Sequence, residues 1–148
     1  MKQRFKASVA VFAIVRKDEK ILMILRAKTG MMDGYWSLPA GGVDGGEIAS
    51  DAAIRELREE TSLIVEPDDV KLVHTQHNFT HGDEWMGLYF EAGLTAGRPY
   101  VAEPHKHGAV EWFDIGDLPG NTVPYVRQAL ANILAGGTFS SFDDGGVL

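Results

Sequence analysis

The chain has 148 residues, a net charge of −7 at neutral pH, 45% hydrophobic and 24% charged residues, and no cysteine. That length supports one domain with a core of its own and no covalent staples. The missing cysteines exclude disulfides and thiolate metal sites. The acidic balance argues against bulk binding to nucleic acid or an anionic membrane, yet leaves a phosphorylated small molecule open if metal ions offset the acidic site.

Lys2, Arg4 and Lys6 precede an apolar run at residues 7–15, which superficially resembles a secretory leader. No small-residue cleavage site follows it, and the run is rich in β-branched residues. It pairs naturally with residues 21–26 across a polar turn, so a β-hairpin is expected. A loop with Gly30 and Gly34 comes next, then a short extended piece at Trp36, Ser37 and Leu38 stopped by Pro39. Residues 40–46 form a glycine-dense loop. A helix is expected over about residues 50–61, capped by Ser50, with Asp51 in its first turn. Its stripe of Ala53, Ile54, Leu57 and Thr61 has helical spacing.

Residues 63–65 and 70–78 read as extended, 81–84 as a turn, and 85–94 as a strand. A polar loop covers residues 95–106, and a further strand covers 109–114. A second helix runs over about residues 123–134, with Pro124 in its first turn and Val126, Leu130, Ile133 and Leu134 as its core stripe. It stops at Gly136 and Gly137, leaving residues 138–148 as a flexible tail outside a domain of residues 1–137. The order of strands, helix, strands, helix predicts an α/β mixed sheet rather than a doubly wound parallel one. No stretch is long enough to cross a bilayer, and a cytoplasmic chain is expected.

The most informative stretch is the glycine-rich loop from Gly41 to Gly46, ending in Glu47, followed by Arg55-Glu56-Leu57-Arg58-Glu59-Glu60. On a helix Glu56, Glu59 and Glu60 fall within a sector of about 100°. Their mutual repulsion costs helix stability, and a multivalent cation relieves it. Arg55 can pair with Glu59 one turn on. A tight loop delivering backbone beside a carboxylate helix makes a metal–phosphate site. It is not a P-loop, because no G-K-[ST] follows.

These residues closely resemble the Nudix box, G-x5-E-x7-R-E-U-x-E-E-x-G-U with U aliphatic. Gly41, Glu47, Arg55, Glu56, Leu57, Glu59, Glu60 and Leu63 match it, while Ser62 replaces its last glycine. The resemblance implies an α/β/α sandwich with a mixed sheet and two main helices. It implies hydrolysis of a phosphoanhydride bond in a nucleoside diphosphate linked to another group, with magnesium or manganese (Mg²⁺ or Mn²⁺). By position, Glu56, Glu59, Glu60 and the Ala40 carbonyl would hold metal, and Glu47 and Arg55 would hold the loop and the carboxylates in place. Glu60 is the first candidate for proton acceptor and Glu103 the second. The segment Glu103-Pro104-His105-Lys106 resembles one in nucleoside-triphosphate-cleaving members, which favours a triphosphate. ADP-ribose, a nucleotide sugar, or a role as a non-catalytic nucleotide-binding regulator are the alternatives. A left-handed Ser62 would cost roughly 1–2 kcal/mol.

Phe79 and Trp85 are the candidate walls of a substrate pocket, with Tyr35, Trp36 and Tyr89 read as packing. His74, His77 and His81 do not suit zinc, because positions 74 and 77 of a strand face opposite ways. His105 and His107 are read as loop residues near substrate or in solvent. The expected partner is a nucleotide-type small molecule, with no bulk nucleic acid and no membrane. A homodimer is left open.

Overall fold

The structure, a computed structural model, describes residues 2–93 and 95–148. Strand β1 (Ser8–Lys17) turns at Asp18 into β2 (Lys20–Arg26), giving the expected hairpin. Strands β3 (Trp36–Ser37) and β4 (Ala40–Gly42) lead to helix α1 (Ala49–Thr61). Strand β5 (Ile64–Val65), a 3-10 turn, β6 (Val70–Thr80) and β7 (Asp83–Ala92) follow. Then come β8 (Thr95–Ala96), β9 (His107–Asp114), α2 (Pro124–Leu134) and β10 (Phe139–Asp143).

The main sheet runs β10-β6-β7-β1-β2-β3, with β4 beside β1 and β9 beside β2. The pairs β1–β7 and β6–β10 are parallel and the rest antiparallel, so the sheet is mixed. Strand alternation sorts the core into two layers. Phe12, Ile14, Ile21, Met23 and Tyr89 face Val126, Ala129 and Leu130 of α2. Ala13, Val15, Leu22 and Ala92 pack with Leu57 of α1, and Val11 and Phe90 with Ala52 and Ala53. A helix on each face makes the α/β/α sandwich. Each fully buried large apolar side chain contributes about 1.5–3 kcal/mol.

Several local expectations change. Helix α1 is capped by Ile48, without a side-chain hydrogen bond, and Ser50 sits inside the helix. The head of the glycine loop is strand β4, because Ala10, Val11 and Phe12 offer it free backbone opposite Gly42, Gly41 and Ala40. The turn before β7 is His81-Gly82, both at positive φ (56° and 75°), which matches the twist of a two-residue hairpin. Leu94, the last residue of the expected strand, lies outside the described residues. Leu134 is half exposed and does not join the stripe.

The segment expected as a flexible tail contributes β10 instead. It pairs with β6 from Phe139 opposite Thr75 to Asp143 opposite Phe79, satisfying an edge that would otherwise be bare. Phe142 packs on the α2-side core, Ser140 bonds His74, and Gln128 of α2 donates to the Ser141 carbonyl. Among the described residues no helix is long and apolar enough to cross a membrane.

Candidate active site

The site forms where β4 passes the C-terminal half of α1. Gly41 lies directly under the Glu56 carboxyl, so closely that a methyl group at position 41 would overlap it. That overlap explains why glycine is needed there. Next to it, the Ala40 N–H donates to Glu60 Oε2 at 2.8 Å. Strand β4 thus lies against two α1 carboxylates one turn apart, bonded to Glu60 and in close approach to Glu56.

Arg55 organises the outer side. Its Nε and Nη2 hold both oxygens of Glu47 at 2.8 and 3.0 Å, a bidentate pair. Its Nη1 donates to Glu56 at 2.8 Å and Glu59 at 3.3 Å, and Nη2 reaches the Gly42 carbonyl at 3.2 Å. One guanidinium therefore ties the loop, the helix and three carboxylates together. Glu47 also accepts from the Asp44 N–H, and these bonds, Arg55 first, hold its pKa below the ordinary carboxylate value.

Burial separates the carboxylates. Glu59 is the most open, with 44% of its side chain exposed, whereas Glu60 has 6%. Burial pushes Glu60 up to about 9, opposed by the Ala40 N–H and reinforced by the charges of Glu56 and Glu103. Glu56 is raised too, mainly by burial, with Arg55 opposing.

The loop before β9 closes the site. Its Ala102 N–H donates to the Glu60 carbonyl and its Tyr100 N–H to the Thr61 carbonyl, which docks it on the end of α1. Glu103 then accepts the Lys106 and His107 N–H groups at its backbone oxygen. This turn carries the His107 side chain inward, where it is 4% exposed, with Nε2 at 3.7 Å from Glu60 Oε1. The ligand atoms of Glu60, Glu103 and His107 lie within 4.8 Å of one another. Burial pushes His107 down to about 4, and the charges of Arg26, Lys106 and His105 add to the effect.

His107 departs from the expectation of a loop residue near substrate or in solvent. It is neither loop nor solvated but the first residue of β9, and no local pattern signals its contact with Glu60. The donor set suits a divalent cation. Glu60 is a buried carboxylate whose single hydrogen bond among the described residues comes from a backbone N–H, with further carboxylates near it. Such a group ionises cheaply only beside positive charge.

A cleft of about 250 Å³ begins at Ala40, Gly41 and Gly42 and is walled by Phe12, Trp85 and Tyr125. A second hollow of about 320 Å³, lined by Met31, Thr80, His81, Asp83, Trp85 and Tyr125, continues past Trp85. The Trp85 indole is fixed by its Nε1–H to Thr80 Oγ1 at 2.9 Å and an edge contact with Tyr125. Tyr125, at the start of α2, and Arg26, at the end of β2, also line this cleft and were not singled out from sequence. Phe79 does not line it. Strand alternation turns Phe79 to the opposite face, beside His77, while Asn78 and Thr80 face the Trp85 side. Tyr89 is buried against Phe12, and Trp36 packs on Phe113. Tyr35 is partly exposed.

The other histidines are separate. His74 bonds the Gly137 carbonyl and Ser140, and His77 bonds Glu84. The His81 backbone N–H is taken by Asp144.

A family model for the NUDIX domain matches residues 4–134. An ADP-ribose pyrophosphatase of Methanocaldococcus jannaschii is 32% identical over 112 residues, covering 76% of this chain and 64% of that protein. An RNA pyrophosphohydrolase of Rhizobium meliloti is 31% identical over 118 residues, covering 68% of this chain and 71% of that protein. The crystal structure of a MutT NUDIX hydrolase from Burkholderia pseudomallei superposes with a TM-score of 0.78 at 32% identity, covering 86% of this chain and 98% of that one. The chain spans less than two thirds of the length of three of its curated relatives, 31%, 64% and 65%. With the box residues gathered on α1 and its entry loop, and a matching fold around them, the chain belongs to the Nudix hydrolase family.

Proposed function

We propose that the chain hydrolyses a phosphoanhydride bond in a nucleoside diphosphate linked to a further group, with a nucleoside triphosphate as the favoured substrate class and Mg²⁺ or Mn²⁺ as the metal. The observation that carries this reading is the meeting of two features at one loop. The Glu56 carboxyl lies over Gly41, Glu60 is bonded to the adjoining Ala40 with Glu103 near it, and the cleft walled by Trp85 and Tyr125 opens from the same strand. Polyphosphate on the carboxylate side and a flat base on the aromatic side fit that arrangement.

Glu56, Glu59, Glu60 and the Ala40 carbonyl are the groups that would hold metal. A bound divalent ion supplies charge neutralisation on the phosphate oxygens and a more acidic water. The protein's own groups do the rest. The Ala40 N–H fixes one Glu60 oxygen, and Arg55 fixes Glu56 and Glu59. Trp85 and Tyr125 hold the base end, and their apolar rings keep bulk water from that side. The attacking water's proton goes to Glu103 in preference to Glu60. The Glu103 side chain is 22% exposed against 6% for Glu60, so water reaches it. That reverses the order drawn from sequence.

A second reading, cleavage of ADP-ribose or a nucleotide sugar, has support in the name of the Methanocaldococcus relative. Incubation with Mg²⁺ and a panel of nucleoside triphosphates, ADP-ribose and nucleotide sugars, with products identified by mass, separates the two. A nucleoside monophosphate and pyrophosphate from a triphosphate is the expected result. Turnover confined to ADP-ribose or sugar nucleotides would transfer the assignment to the second reading. Binding without turnover anywhere on the panel would make the protein a nucleotide-binding regulator.

A further inference from the structure

Among the described residues, His107 is a buried imidazole without a hydrogen bond. Its side chain is 4% exposed, its Nδ1 is buried and has no partner, and its Nε2 points to Glu60 Oε1 at 3.7 Å, beyond hydrogen-bond distance. A buried polar ring left in this state loses the solvation it had in water and gains nothing in exchange. Two carboxylates stand beside it. The donor atoms of Glu60, Glu103 and His107 all lie within 4.8 Å of one another, a spacing that one divalent ion closes with small side-chain shifts. The turn that delivers His107 is itself tied down, since the His107 and Lys106 N–H groups both bond the Glu103 carbonyl. Glu103 and His107 are therefore held in one turn, and the Ala102 N–H bond to the Glu60 carbonyl docks that loop beside Glu60.

We infer that His107 Nε2 is a nitrogen ligand for a divalent cation shared with Glu60 and Glu103, and that it biases this position towards first-row transition ions over Mg²⁺. The inference rests on the metal-dependent reading of the site and extends it to the choice of metal. Mg²⁺ is a hard ion that takes oxygen donors and keeps its waters, whereas imidazole suits first-row transition ions. An all-carboxylate site would not distinguish the two in this way. Each carboxylate has two oxygens, so Glu103 can ligate through one and accept a proton at the other.

The test uses the full chain and no substrate. Mn²⁺ is added to the wild-type protein, and pulsed electron paramagnetic resonance is used to look for nitrogen hyperfine coupling. Mn²⁺ and Mg²⁺ affinities are then measured by calorimetry for the wild type, His107→Gln and, as a control, His105→Gln. The wild type is expected to show the coupling, and His107→Gln to lose it. Mn²⁺ affinity should fall at least about tenfold in that variant, the lower end of what losing even an outer metal partner costs. Mg²⁺ affinity should fall much less, and His105→Gln should match the wild type. No nitrogen coupling in the wild type overturns the inference without any variant being needed. Coupling that persists in His107→Gln, or equal losses for both ions, overturns it as well. Because no turnover is measured, the outcome is independent of the hydrolase reading. A protein inactive on every nucleotide that still shows the coupling would keep this inference, and an active one without it would lose only this inference.

Discussion

Gly41 shows how a single residue serves the chemistry without touching it. Its missing side chain makes room for the Glu56 carboxyl, and a methyl there would meet only the flexible end of that side chain. Folding is therefore expected to survive Gly41→Ala, because a glutamate can swing away. The carboxylate would then leave its place on Arg55 Nη1. Turnover should fall by about 10–100-fold, as for loss of a metal site's supporting groups, with the thermal midpoint nearly unchanged. A large loss of midpoint with turnover kept would contradict this assignment. At this scale the sequence was most informative where spacing is local. Glu56, Glu59 and Glu60 share one helix, so the 3.6-residue period places them. Glu47 and Arg55 come from the same stretch. His107 and Tyr125 could not be read in this way, because their contacts join segments far apart in the chain.

Helix α1 ends on Ser62 at φ 65°, in the left-handed region that the resemblance assigned to glycine. Its N–H still closes the helix on the Arg58 carbonyl at 2.8 Å, and its Oγ reaches the Arg98 carbonyl at 3.3 Å. A non-glycine here costs roughly 1–2 kcal/mol, and the extra freedom of glycine in the unfolded chain returns about 0.4–1 of that. Ser62→Gly should then raise stability by up to about 1.6 kcal/mol, at roughly 2–4 °C in thermal midpoint per kcal/mol for a chain of this size. Unchanged turnover should accompany it. A lower midpoint would mean that the bond to Arg98 outweighs the strain. The helices and long strands were legible because periodicity and glycine stops are local signals. Strands β4 and β10 were not. β4 is mostly glycine and β10 is polar, so each is a strand only because β1 or β6 offers it an unpaired edge.

Across the whole molecule, burial of Glu60 and His107 ties stability to pH. Glu60 rises from 4.5 to about 9 on folding, chiefly through burial. Its contribution is fully present below 4.5 and is lost as pH rises through about 9. His107 falls from 6.5 to about 4, again chiefly through burial. Its contribution is present above 6.5 and is lost as pH falls through about 4. The two slopes oppose each other between 4.5 and 6.5, and above that range only the Glu60 loss remains. The thermal midpoint of chelator-treated protein should therefore drop between neutral pH and about 9. Glu60→Gln should flatten the drop, and excess divalent cation should shrink it by stabilising the carboxylate. A metal-free midpoint that rises over this range would contradict the burial of Glu60.

The proposed reaction adds water to a phosphoanhydride at this carboxylate site. It is tested most directly by turnover of a nucleoside triphosphate with Mg²⁺ in water labelled with heavy oxygen, followed by mass analysis of both products. One heavy oxygen is expected in one of the two phosphate-bearing products, with a rate at least about 100-fold lower in Glu103→Gln, the usual minimum for losing a general base. Unlabelled products, or a Glu103→Gln variant as fast as the wild type, would contradict it.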